Sequence, residues 1–80
     1  LIEKGADVNK VNQKSKTPLW LACENGHLDI VKFLIEKGAD VNKADDWGKT
    51  PIYMACDKGH LEIVKFLIEN GANLNKADKD

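Results

Sequence analysis

No stretch of this chain concentrates charge of one sign, and no stretch stays apolar for long. Lysines and acids are interspersed and leave a formal net charge of −1 over 80 residues. Nothing in it resembles the basic field that condenses on nucleic acid or anionic lipid. The longest apolar runs, such as DIVKFLI at Asp29 to Ile35, are broken by charge within a few residues. They are too short to span a bilayer, and no secretory leader is visible. The reading is a soluble chain whose partners are neither nucleic acid nor membrane. Cysteine is scarce too. Cys23 and Cys56 do not make the dense framework of a small secreted domain, so a reducing compartment, cytoplasm or nucleus, is expected. At this length a compact core excludes only a modest fraction of the chain from water, so stability is expected to be marginal.

What the chain does have is repetition. LIEKGADVNK at Leu1 to Lys10 returns letter for letter at Leu34 to Lys43, and again as LIENGANLNK at Leu67 to Lys76. A fixed period of about 33 residues is the mark of a stacked repeat architecture. Residues 11–43 and 44–76 form two full units that agree at more than half of their positions. Residues 1–10 match the end of a unit and 77–80 the start of another, so the sequence is expected to be a piece of a longer array whose ends lack polar capping repeats. A self-associating repeat chain fits the same pattern.

Within a unit, Thr17-Pro18 and Thr50-Pro51 read as helix starts: a hydroxyl that accepts from a free N–H, then a residue whose missing N–H costs nothing at the first helical position. The first helix runs through LWLACEN or IYMACDK to Gly26 or Gly59. The second follows from His27 or His60 to Gly38 or Gly71. Its apolar stripe, Leu28, Val31, Leu34 and Ile35 widened by Ile30 and Phe33, is too broad for one short partner helix, so neighbouring units must cover it. On its other side Asp29, Lys32 and Glu36, then Glu62, Lys65 and Glu69, stand at spacings that bring opposite charges together. Between helix pairs, GADVNKADDWGK reads as a projecting turn of the β-hairpin type.

The segments TPLWLACENGHLDIVKFLIEKGADVN and TPIYMACDKGHLEIVKFLIENGANLN resemble the ankyrin repeat, and the resemblance covers the whole chain. It implies an all-α repeat solenoid: helix-loop-helix units joined by β-hairpin-type turns and stacked into a curved array. Trp20 and Tyr53 depart from the histidine usual in the family after the TPL motif, and Ser15 stands where Gly48 supplies the usual glycine. The family also implies that His27 and His60 close the loop between helices by bonding nearby backbone, and that Trp20 and Tyr53 pack partly between helices, each offering a donor to a loop carbonyl. Asn42, with Asn9 and Asn75 as equivalents, resembles the position that asparaginyl hydroxylases modify. A sufficient structural reason for that asparagine is bonding within its own turn.

Catalysis and metal binding find little support. Cys23 and His27 are four apart, as are Cys56 and His60, yet each pair straddles a helix-ending glycine. Stacked helices lie roughly 10 Å apart, whereas one zinc ion needs both thiolates at about 2.3 Å. The same separation exceeds disulfide reach. Both cysteines are expected to be small, buried and inert. No nucleophile sits beside a histidine and a carboxylate, and no glycine-rich loop leads from a strand into a helix. Neither an enzyme nor a cofactor is expected.

The units differ where their scaffold agrees, at Gln13, Lys14, Glu24 and Asn25 against Asp46, Trp47, Asp57 and Lys58, beside a lysine common to both, Lys16 and Lys49. By the family's habit such positions, at turn tips and along first helices, line a concave face for a protein partner. Trp47, an indole at a turn tip with little core to pack into, is the expected anchor. The expected function is a non-catalytic protein-binding module; the rival is a structural spacer within a longer array.

Overall fold

Each Thr-Pro pair starts a helix. In the computed structural model, which describes residues 8–74, the Thr17 hydroxyl accepts from the Trp20 N–H at 3.0 Å and the Thr50 hydroxyl from the Tyr53 N–H at 3.3 Å. Both threonines are buried, so these caps satisfy donors that water cannot reach. Helix α1 spans Pro18–Asn25, α2 Leu28–Glu36, α3 Pro51–Asp57 and α4 Leu61–Glu69. Helix α1 ends on Gly26, whose φ of 77° places it in the left-handed region and lets its N–H reach the Ala22 carbonyl. Neither His27 nor His60 caps its helix through the side chain.

α1 packs on α2 and α3 on α4, while between units α1 lies on α3 and α2 on α4. One continuous core results. Leu19, Ala22, Cys23, Val31 and Leu34 of the first unit meet Ile52, Ala55, Ile63 and Leu67 of the second. Full burial of such side chains is worth about 1.5–3 kcal/mol each for the larger ones, which helices of seven to nine residues need, being too short to persist alone. Among the described residues there are four helices and no strands, so the all-α stack expected from the sequence is what forms.

Two expectations need correction. Cys23 is buried, but Cys56 is exposed: the second unit covers Cys23, and no described helix lies over Cys56. Asn42 does not spend its side chain on its own turn. Its Oδ1 accepts from the Asn73 N–H at 2.8 Å and its Nδ2 donates to the Gly71 carbonyl at 3.2 Å, both in the next unit. Asn9 makes the same step earlier, accepting from the Asp40 N–H at 2.8 Å, and Asn75 lies outside the described residues. On the outer face of α2, Lys32 places its Nζ 5.7 Å from the Phe66 ring centroid in the next unit.

Candidate protein-binding face at the turn tips

The turns before α1 and α3 are built alike. Asn12 Oδ1 accepts from the N–H groups of Lys14 and Lys16 at 2.9 and 3.1 Å, and Asp45 Oδ1 from those of Trp47 and Lys49, both at 2.9 Å. A backbone bond closes each turn: Asn12 N–H to the Lys16 carbonyl at 3.1 Å, and Asp45 N–H to the Lys49 carbonyl at 2.9 Å. These are hairpin-like turns held by side chains rather than by strand pairing. The left-handed position falls on Ser15 in the first, with φ 65°, and on Gly48 in the second, with φ 80°.

The two turns are tied to each other. The Asp46 N–H donates to the Lys14 carbonyl at 3.1 Å, and the Ser15 hydroxyl donates to Asp46 Oδ1 at 2.5 Å. Trp47 emerges beside this tie with 55% of its surface exposed, and Lys14 Nζ lies 6.0 Å from its ring centroid. Trp20 is the opposite case: its ring is buried and its Nε1–H donates to the Lys49 carbonyl at 3.1 Å. That carbonyl therefore accepts two bonds, one from each unit.

Lysines cover the rings. Lys16 Nζ lies 4.3 Å from the Trp20 centroid and Lys49 Nζ 5.4 Å from that of Tyr53. Sequence reasoning placed these lysines on the partner-facing surface and missed their contacts with the rings. Both pairs lie within one unit at a spacing of four, and that spacing of lysine before aromatic was the signal in the sequence.

The candidate residues divide into two groups. Trp47, Asp46, Lys49, Lys14 and Lys16 gather at the two turns. Glu24 and Asn25 end α1, Asp57 ends α3 and Lys58 follows it, roughly 10 Å along the helix from the turn at a rise of about 1.5 Å per residue. Asn25 turns its Nδ2 back to the Leu21 carbonyl at 2.9 Å, and the Glu24 carbonyl lies 3.3 Å from His60 Nε2. Gln13 is exposed at the first turn.

Among the described residues no three of His, Cys, Asp and Glu cluster as metal ligands. Burial pushes the Cys23 thiol up to about 12, so it stays protonated at neutral pH and is a poor nucleophile. No helix among the described residues is long and apolar enough to cross a membrane.

A family model described as ankyrin repeats (3 copies) matches residues 1–78. Among curated proteins, the chain is similar to human ankyrin repeat domain-containing protein 7, with 58% identity over 31 residues, which is 39% of this chain and 12% of the relative. It is similar also to ankyrin repeat domain-containing protein 63 of human and mouse, each with 53% identity over 34 residues, 42% of this chain and 9% of the relative. The chain thus spans only about a tenth of the length of the curated relatives it matches.

Proposed function

The chain belongs to the ankyrin repeat family, and from that premise we propose that it is a non-catalytic module binding a protein partner through its turn tips and first helices. Ankyrin repeats are generally protein–protein interaction modules. The observation that carries the reading is Trp47: a large aromatic more than half exposed on a turn whose backbone is fixed by its own carboxylate and by the neighbouring unit. Holding an anchor rigid before binding removes part of the ordering cost of association. Asp46, Lys49, Lys14 and Lys16 form the polar surround. Glu24, Asn25, Asp57 and Lys58 extend the face along the first helices.

An intracellular location, cytoplasmic or nuclear, goes with this reading, since an exposed free thiol at Cys56 beside a buried one at Cys23 suits a reducing compartment. The competing reading is a spacer whose turns contact nothing.

Affinity separates them. With the parent protein and a purified partner, Trp47→Ala is expected to weaken binding about 30-fold or more, the loss of about 2 kcal/mol typical of an anchoring tryptophan. Asp29→Ala, on the outer face of α2, serves as control. Equal affinity of both variants, with helicity unchanged, would favour the spacer.

A further inference from the structure

The fold gathers cations that the sequence disperses. Lys14, Lys16 and Lys49 come from turns of two different units, and the bond from the Asp46 N–H to the Lys14 carbonyl sets those turns edge to edge. Each of the three ammonium groups lies over an aromatic ring. Lys16 on Trp20 and Lys49 on Tyr53 are contacts within a unit, and Lys14 on Trp47 crosses between units. A ring attracts a cation through its quadrupole and brings no net charge. The lysines are therefore placed without being neutralised, and among the described residues none of the three forms an ion pair.

The two carboxylates nearby are engaged in the turns. Asp45 is buried, its Oδ1 accepting from the Trp47 and Lys49 N–H groups, and Asp46 Oδ1 accepts from the Ser15 hydroxyl of the neighbouring turn. What projects is a row of three fixed positive charges beside one open indole, with Asp46 the exposed acid among them. Further along the face the balance reverses, since the first helices end at Glu24, Asn25 and Asp57 before Lys58.

We infer that the partner segment seated on the turn tips is acidic: a stretch of protein whose aspartates or glutamates meet Lys14, Lys16 and Lys49 while an apolar side chain packs on Trp47. This rests on the reading of Trp47 as an anchor and adds the chemistry of what it anchors. Charge complementarity selects the occupant, and an ammonium already held over a ring loses less freedom on pairing than a free lysine does. A nucleic-acid strand fits less well. Such strands stack bases on open rings along a continuous positive groove, whereas Trp20 is buried, Tyr53 is half-buried beneath Lys49, and Glu24 and Asp57 interrupt the positive charge. Adjoining repeats would not cover the row. Turns of stacked units join edge to edge, as these two do, with their tips facing the same way, so added units lengthen the face.

The test measures fluorescence anisotropy of labelled probes with the 80-residue chain at low salt. The probes are a short peptide of glutamates around a central leucine, the same peptide with glutamines for the glutamates, and an oligothymidylate. The glutamate peptide is expected to bind about tenfold or more tighter than the glutamine peptide, and to lose most of that preference at about 1 M salt. Lys14→Gln and Lys49→Gln should each cut the preference by about twofold to fivefold, with Lys16→Gln standing in if either variant loses helicity. Lys65→Gln, exposed on α4, should leave it unchanged. Trp47→Ala should weaken both peptides alike. Equal binding of the two peptides, or a preference that survives the lysine variants, would overturn the acidic partner and leave the Trp47 site standing. A Trp47→Ala variant that binds both peptides as the parent does would remove the site and the inference with it. No binding of the glutamate peptide up to about 1 mM would also overturn the inference, and tighter binding of oligothymidylate would assign the row to nucleic acid instead.

Discussion

His60 fills the hollow above Gly26. Its Cε1 lies 2.7 Å from where a Cβ of residue 26 would stand, and its Nε2 is 3.3 Å from the Glu24 carbonyl oxygen, to which it donates in the Nε2–H tautomer. A loop glycine of one unit and the histidine after the equivalent glycine in the next thus form a single joint. In this joint Gly26 ends α1 and His60 locks onto the unit before its own.

Gly26→Ala and Gly59→Ala separate these duties. Both glycines have positive φ, 77° and 75°, so both substitutions incur the left-handed strain of about 1–2 kcal/mol. Only residue 26 then collides with an imidazole, an overpacking worth about 1–3 kcal/mol. Urea denaturation should show Gly26→Ala to be the more destabilising by about 1 kcal/mol or more, and His60→Ala added to it should recover part of that excess. Equal losses at the two positions would remove His60 from the joint.

Much of this was legible in the sequence, because it is local. Thr17-Pro18 and Thr50-Pro51 start helices through their own hydroxyls and ring geometry, and Gly26 stops one through its own φ. What was not legible is which member of an identical pair is buried. Cys23 and Cys56, or Ile30 and Ile63, have closely similar local sequences, and their different exposure is decided by the neighbouring unit. Asn42 bonding to Gly71 and Asn73 is of this kind. So is the site: the prominence of Trp47 followed from its turn, whereas Lys14 beside its ring depends on how turns stack.

The two thiols should therefore behave as different residues. In the folded protein a maleimide should label Cys56 at least about 100-fold faster than Cys23, whose reaction must wait for opening of the structure. The pH dependence has a definite sign. Burial raises the Cys23 thiol from 9.0 to about 12, so its contribution is intact below pH 9 and is lost as pH climbs from 9 towards 12, where the unfolded thiol ionises and the folded one does not. The decline is at most about 1.4 kcal/mol per pH unit. Comparison with Cys23→Ala cancels the lysine and tyrosine titrations, and parallel pH profiles for the two proteins would contradict a buried neutral thiol.

Ser15 poses a balance that two substitutions resolve. Its φ of 65° is one that an L-residue reaches at a cost of about 1–2 kcal/mol, while its hydroxyl donates to Asp46 Oδ1 across to the next turn at 2.5 Å. A hydrogen bond to a charged group contributes about 1.5–3 kcal/mol, less at an exposed turn such as this one, so bond and strain nearly offset. Ser15→Gly releases the strain and loses the bond, and stability should change by no more than about 0.5 kcal/mol. Ser15→Ala loses the bond and keeps the strain, so it should cost about 1 kcal/mol. The ordering identifies the role of the residue. If alanine were tolerated as well as glycine, the bond to Asp46 would contribute nothing. If glycine stabilised by more than about 1 kcal/mol, the strain would outweigh the bond, and the first turn would be held in its shape by Asn12 and the Asp46 N–H alone.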